Sequence, residues 1–347
     1  MFLKTFKRFL ELFTKQSAQV VSLLFVASLT LTLLFSACTP KDSGSAPNTT
    51  KNAGNPGASK AAIVRIGYQK FTDLDVLRTR KNLEERLKPE NVSVQWTLFQ
   101  AGPPLMEAMN TGSIDIGGIG EVPPIFAQAA GAQVVYVSTK PAAPDTYGIL
   151  IPKNSSIKSL SDLKGKKVAL VKGSSAHYLL VEALKSAKLQ FSDIQATYLS
   201  AADARPAFEQ GKIDAWVIWD PFLTVAQQTV GAKVLTTGKG LGENRGFHLA
   251  SRTFAETNPQ LVKAVQEELK KSEDWSQSHP KEIATQYAPQ LGLDEPTLES
   301  VARRRSYGVL PIDDAVLAKQ QAIADTFFQL KLIPNQIDVK KAAWKAA

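Results

Sequence analysis

What most limits the fold of this chain is a short pattern that occurs twice. Gly112-Ser113-Ile114-Asp115 leads through an apolar, glycine-rich run to Gly120-Glu121-Val122-Pro123, and Gly211-Lys212-Ile213-Asp214 leads through Ala215-Trp216-Val217-Ile218 to Trp219-Asp220-Pro221. Each copy predicts a helix that ends at the glycine, an aspartate that opens a buried strand, and an acid that closes the strand beside proline. VRIGYQK lies ahead of the first copy and KVALVKGSS occupies the corresponding place ahead of the second. A strand–helix–strand order used twice predicts an α/β fold of two similar lobes. Ligands of open α/β sheets bind beyond the carboxyl ends of the strands, which places a cleft between the lobes.

The stretch 167–188 carries the clearest chemistry. Its apolar run 168–171 reads as a buried strand, Gly173 as the turn, and Ala176, Leu179, Leu180, Ala183, Leu184 and Ala187 as one face of an amphipathic helix. Ser174 or Ser175 is the N-cap. The start of such a helix offers unpaired N–H groups and partial positive charge, with two hydroxyls as further donors. In the other copy, Gly120 followed by Pro123 and Pro124 predicts a second helix start at a strand's end. Along the second copy's strand, Trp219 faces the cleft if Trp216 faces the core, because residues three apart lie on opposite faces. Neutral donors and an aromatic wall suit a small anion with an apolar part. Glu121 and Asp220 would repel an anion, so they are expected to hold a donor, pair across the cleft, or receive an amine at the ligand's far end.

Composition narrows the class. Cys38 is the one cysteine, which excludes an intramolecular disulfide and a cysteine metal cluster. The three histidines, His177, His248 and His279, show no metal-ligand spacing, and no metal or cofactor site is expected. Ser174 and His177 lie within one helical turn and leave no third orienting group or oxyanion site, so no catalytic residue is assigned and a binder is expected rather than an enzyme. The formal charge is +9, of which the first 37 residues supply +3 through four basic residues and one acid. The remaining +6 favours an anionic ligand. No basic cluster is interleaved with aromatics, and the arginine run 303–305 reads as a solvated helix end, so no nucleic-acid partner is expected.

Residues 1–37 have the basic start, apolar run and small residues of a secretory signal. LLFSAC resembles a bacterial lipobox, with Phe35 in place of the usual aliphatic residue, and implies that Cys38 is lipidated. Residues 38–61 are rich in Ser, Gly, Pro, Asn and Thr and read as a flexible tether. The short runs YGILIP and GFHLAS bound the second copy of the repeat and predict a two-strand hinge. The first lobe is then discontinuous, 62–152 plus 246–347, and the second is 153–245.

Several stretches together resemble periplasmic aliphatic-sulfonate-binding proteins of ABC importers: RIGYQK, AGPPLMEAMNTGSIDIGGIGEVPPIFAQAAGA, SLSDLKGKKVALVKGSSAHYLLVEAL, DARPAFEQGKIDAWVIWDP, ARRRSYGVLPID and QQAIADTFFQLKLIP. The wider group includes taurine, nitrate, bicarbonate and thiamine-precursor binders. The resemblance implies a type II periplasmic-binding-protein fold and a monomer held by a lipid anchor on the periplasmic face of a membrane. It also implies capture of an alkanesulfonate and its delivery to an ABC permease with a cytoplasmic ATPase. The family's cleft positions fall on Gln69, Gly120, Glu121, Ser174, Ser175, His177, Trp219 and Asp220. Two departures stand out: Glu121-Val122 where the family shows Asp-Ala, and a more polar first helix over 73–82.

Overall fold

The two aspartates of the repeat do the same job. Asp115 accepts hydrogen bonds from the backbone N–H of Arg65 at 2.8 Å and from its guanidinium at 2.6 and 3.0 Å. Asp214 accepts from the backbone N–H of Lys167 at 2.8 Å. Each ties the start of one strand to its neighbour and so fixes the parallel register, Ile66 beside Ile116 in one sheet and Val168 beside Ala215 in the other. The glycine ahead of each has a left-handed backbone, φ 72° at Gly112 and 68° at Gly211, where a side chain would be strained. The computed structural model describes residues 62–345. The expected signal, tether and Cys38 lie outside the described residues.

Ten strands, β1 (Ala62–Tyr68), β2 (Val92–Leu98), β3 (Ile116–Gly120), β4 (Val134–Thr139), β5 (Tyr147–Ile151), β6 (Lys167–Leu170), β7 (Gln195–Tyr198), β8 (Ala215–Trp219), β9 (Lys233–Thr237) and β10 (Gly246–Ser251), form two sheets. Their orders are β2-β1-β3-β10-β4 and β7-β6-β8-β5-β9. The fourth place in each sheet is filled by a strand antiparallel to both neighbours, β10 in the first and β5 in the second. Helices flank both sheets, giving an α/β architecture of two lobes with one plan.

The lobe boundary differs from the sequence expectation. A boundary at 152 leaves 147–151 in the first lobe, whereas β5 pairs with β8 and β9 and belongs to the second. All five of its residues are buried, so its apolar run carries no mark of which sheet it joins. The hinge strands YGILIP and GFHLAS are therefore sheet members, and the chain crosses between lobes in 140–146 and 238–245. These two segments bond to each other, Ala143 N–H to Glu243 O at 2.8 Å and Gly238 N–H to Pro144 O at 2.9 Å. The chain breaks within the span 73–82 of the expected first helix and forms two helices, Asp73–Arg80 and Asn82–Leu87, parted at Lys81 with φ 59°.

Packing follows the hydrophobic pattern. The helix Ser175–Ser186 buries Ala176, Leu179, Leu180, Ala183 and Leu184 against Val168 and Leu170 of β6 and Val217 of β8. Each such leucine contributes about 1.5–3 kcal/mol relative to exposure, which holds the helix start rigidly at the sheet's carboxyl edge. Trp216 is buried between Phe208 and Phe222, and Trp219 on the opposite face of β8 is half-buried. Among the described residues, no helix is long and apolar enough to cross a membrane.

Candidate functional site

Two helix starts face one cavity of about 200 Å³, and they offer different things. Gln69, Gly120, Ser174, Ser175, Trp219 and Asp220 all line it, contributed by both sheets' carboxyl ends. On the second lobe, Ser174 is the N-cap of Ser175–Ser186 but caps nothing with its side chain. Its hydroxyl donates to Val171 O at 2.7 Å instead. In the first turn the His177 N–H is spent on Ser174 O at 2.9 Å, while the N–H groups of Ser175 and Ala176 have no acceptor among the described residues. Ser175 Oγ has no hydrogen-bond partner among the described residues, and it lies so close to Gly120 that a Cβ there would stand 2.4 Å from it. Glycine is what lets the two lobes approach at this point.

The first lobe's helix, Pro123–Ala129, was expected to be the matching donor. It is not one. Pro123 and Pro124 carry no N–H, and the next two amides are spent on Val122 O, from Ile125 at 3.0 Å and from Phe126 at 3.4 Å. Pro123 contributes cavity wall only. Gln69 reaches back to its own lobe, its Nε2 donating to Gly118 O at 3.4 Å.

Two of the residues singled out in the sequence are elsewhere. Glu121 is 1 % exposed and off the cavity wall, because the residue after Gly120 points to the other side of the chain. Its Oε2 accepts the backbone N–H of Arg245 at 2.9 Å, Oε1 has no partner, and burial pushes the carboxyl up to about 7 despite that bond. His177 has no exposed surface and packs among Phe126, Phe191, Tyr198 and Phe327, with ring centroids 5.3–6.4 Å away. Its Nδ1 accepts the Gly173 N–H at 3.3 Å. Burial, with the charge of Lys172, brings the imidazole down to about 4, so it is neutral. In place of a ligand contact, His177 is an aromatic-like filler between the lobes, since Phe126 and Phe327 come from the first. Asp220 does pair across the cleft, with Arg304 Nη2 at 2.7 Å, while its Oδ1 accepts from the Thr224 hydroxyl at 2.7 Å.

A buried charge cluster forms the cavity floor on the first lobe. Asp73 Oδ2 accepts from Lys140 Nζ at 3.0 Å and from His248 Nε2 at 2.7 Å, and Lys140 also meets Glu273 at 3.2 Å. Ser138 Oγ lies 2.8 Å from His248 Nδ1. An ionised Asp73 only accepts, which makes Nε2 the protonated nitrogen of His248. Arg245 pairs with Glu243 at 2.9 Å. Arg305, the last cation on the cavity wall, has no ion pair and no side-chain hydrogen bond among the described residues, and its Nη1 is buried without an acceptor. Its guanidinium lies 5.0 Å from the Phe71 ring centre and 5.3 Å from that of Tyr307.

Residues 98–283 match the family described as NMT1/THI5 like. A relative from Escherichia coli (strain K12), named for binding aliphatic sulfonates, is 42% identical over 288 residues, 83% of this chain and 90% of its own. The chain belongs to the NMT1/THI5-like family. Among solved members, the alkanesulfonate-binding protein SsuA from Xanthomonas axonopodis pv. citri, bound to MOPS, superposes with a TM-score of 0.79. It is 39% identical and is matched over 83% of this chain and all of its own. The periplasmic aliphatic sulphonate binding protein SsuA from Escherichia coli gives 0.75 at 41% identity, over 83% of this chain and 94% of that one.

Within this member of the family, reading the sequence missed Asp73, Lys140, His248 and Arg305. The arginine run held a usable signal. Only Arg303 behaves as a solvated helix residue, pairing with Glu299 one turn back; Arg304 ends the helix Glu295–Arg304, and Arg305 is already extended, at ψ 149°. The chain beyond it bridges back to the first sheet at Leu310 and Thr139, which carries Arg305 onto the cavity wall.

Proposed function

We propose that this chain is the substrate-binding component of an ABC importer and that its interlobe cavity takes an aliphatic sulfonate for delivery to a permease. The observation that carries the reading is the uncapped start of Ser175–Ser186, with the free Ser175 hydroxyl beside it and Trp219 on the same cavity. Three sulfonate oxygens accept where the helix start donates, and the indole covers the tail. The names of the relatives support the same ligand class. A binder rather than a catalyst is supported by the site itself: Ser174 is spent on Val171, His177 is neutral and off the cavity, and Ser138, whose hydroxyl meets His248, is buried off the cavity wall.

Calorimetry in a sulfonate-free buffer, with alkanesulfonates of increasing length, MOPS, taurine, sulfate, nitrate, bicarbonate and a pyrimidine, tests the ligand. A saturating sulfonate, at a hundred times its dissociation constant, is expected to stabilise the fold by about 2.7 kcal/mol. Ser175→Ala is expected to lose about 1–3 kcal/mol for every sulfonate, while Trp219→Ala loses affinity in proportion to tail length. Tight binding of nitrate, bicarbonate or a pyrimidine with none of any sulfonate overturns the assignment.

The anchor belongs to the same reading. Cys38 is proposed to carry lipid at the periplasmic face of a membrane, because it follows small residues after an apolar run, with 39–60 as the tether to a monomeric binding protein. Mass spectrometry of protein extracted from membranes is expected to show a diacylglyceryl mass on the peptide beginning at Cys38; an unmodified thiol there rules the anchor out.

A further inference from the structure

The free amides of Ser175–Ser186 belong to the second lobe, and the proline-led helix of the first supplies none, so the first lobe's donor must come from elsewhere. We propose that Arg305 is that donor, the charged residue on which the sulfonate group closes and the one that sets the site's preference for a monoanion. The inference rests on the binding-protein reading above and adds to it the residue and the charge rule.

Lys140 is held by Asp73 and Glu273, Arg245 by Glu243, and Arg304 by Asp220. Arg305 alone among these cations has no carboxylate, and none of its guanidinium N–H groups is hydrogen-bonded among the described residues. A buried guanidinium nitrogen without an acceptor is costly, and native proteins leave one where a ligand or water completes it. Phe71 and Tyr307 provide the support: cation–π contact orients the planar group without consuming a single N–H. Tyr307 is itself fixed, its hydroxyl donating to Ala302 O at 2.7 Å. What results is an oriented fork with every donor unspent, which matches two oxygens of a tetrahedral oxyanion at once.

The charge around Arg305 bears on the ligand's charge as well. Lys140 answers two carboxylates, Asp73 and Glu273, and Arg305 acts on Asp73 without an ion pair, so the group stands near neutrality before a ligand arrives. A monoanionic sulfonate adds one negative charge beside Arg305, whereas sulfate adds a second that meets Asp73 and Asp220 on the same wall. An arginine whose partner arrives with the ligand also couples the lobes, since the sulfonate is then shared between Arg305 of the first and the helix start of the second.

Calorimetry on wild type, Arg305→Gln and Arg305→Lys with pentanesulfonate, MOPS and sulfate tests this. Arg305→Gln is expected to bind either sulfonate about 100-fold more weakly, and Arg305→Lys to fall between, about tenfold down, because a point charge replaces the fork. Without ligand, Arg305→Gln is expected to melt only slightly below wild type, because it loses the cation–π contacts with Phe71 and Tyr307 and the attraction to Asp73 but no hydrogen bond or ion pair. Two results overturn the proposal: Arg305→Gln binding pentanesulfonate within about threefold of wild type, or a wild type that prefers sulfate to either sulfonate. A wild type that binds no sulfonate at all removes the parent reading and this one together, and is told apart from the first result by the wild-type titration alone.

Discussion

Asp73→Ala is expected to destabilise the protein by about 3–5 kcal/mol, the largest effect of a single substitution near the cavity. Asp73 is 3 % exposed and is the common acceptor of two buried donors. Burial pushes its carboxyl up, but the charge of Lys140 and then that of His248 outweigh burial and hold it well below the ordinary carboxylate range. Removing it leaves Lys140 to Glu273 alone and strips the acceptor from His248 Nε2, so buried donors are stranded. Because the folded group's pKa is depressed, its stabilisation is present above the unfolded value of about 3.9 and is lost as pH falls below it. Urea denaturation at neutral pH checks the magnitude, and a loss under about 1 kcal/mol contradicts the account. The same titrations below about pH 4 are expected to show wild type converging on the variant.

Glu121 gives the opposite slope in a separate window. Its carboxyl is raised to about 7, chiefly by burial, so the folded protein keeps a proton that the unfolded chain has already lost. That contribution to stability is complete below the unfolded value and disappears as pH rises through about 7. Across the window it amounts to about 3 kcal/mol. Glu121→Gln imitates the protonated form and retains an oxygen for the Arg245 N–H, so it is expected to flatten the curve. Between pH 5 and pH 8 wild type should lose about 2–3 kcal/mol more than the variant. Parallel curves for the two proteins would falsify the assignment of the slope to Glu121. The bond to Arg245 lies in a crossing segment, so the same titration bears on how the lobes are joined.

The lobes were legible because the repeat carries its own reason. Asp115 and Asp214 tie a strand to its neighbour, and a glycine must precede each, so the pattern survives in plain residue types. The fate of 147–151 was not legible, since an apolar run buried on both faces fits either sheet. Within the site, Gly120, Ser174, Ser175 and Trp219 could be placed because each sits at the end of a strand or the start of a helix that its local sequence defines. Glu121 was misplaced by one residue of strand alternation and His177 by part of a helical turn, distances over which identity says little and geometry decides. Arg305 could not be told from Arg303 by composition. What separates them is that Arg303 has Glu299 whereas Arg305 has no ion pair among the described residues, and pairing is a property of the folded chain.

The late position of β10 in the chain also dictates an order of assembly. A chain made from its N-terminus presents β5 to β9 as one uninterrupted stretch, so the second lobe holds every strand it needs once residue 237 has emerged. The first lobe does not. Its β3 and β4 have been waiting since residue 139, each with a bare edge, for a strand that arrives only with Gly246–Ser251. The half of the protein that is synthesised first is therefore the half whose sheet closes last, and its two open edges are the surfaces most in need of protection in the nascent chain.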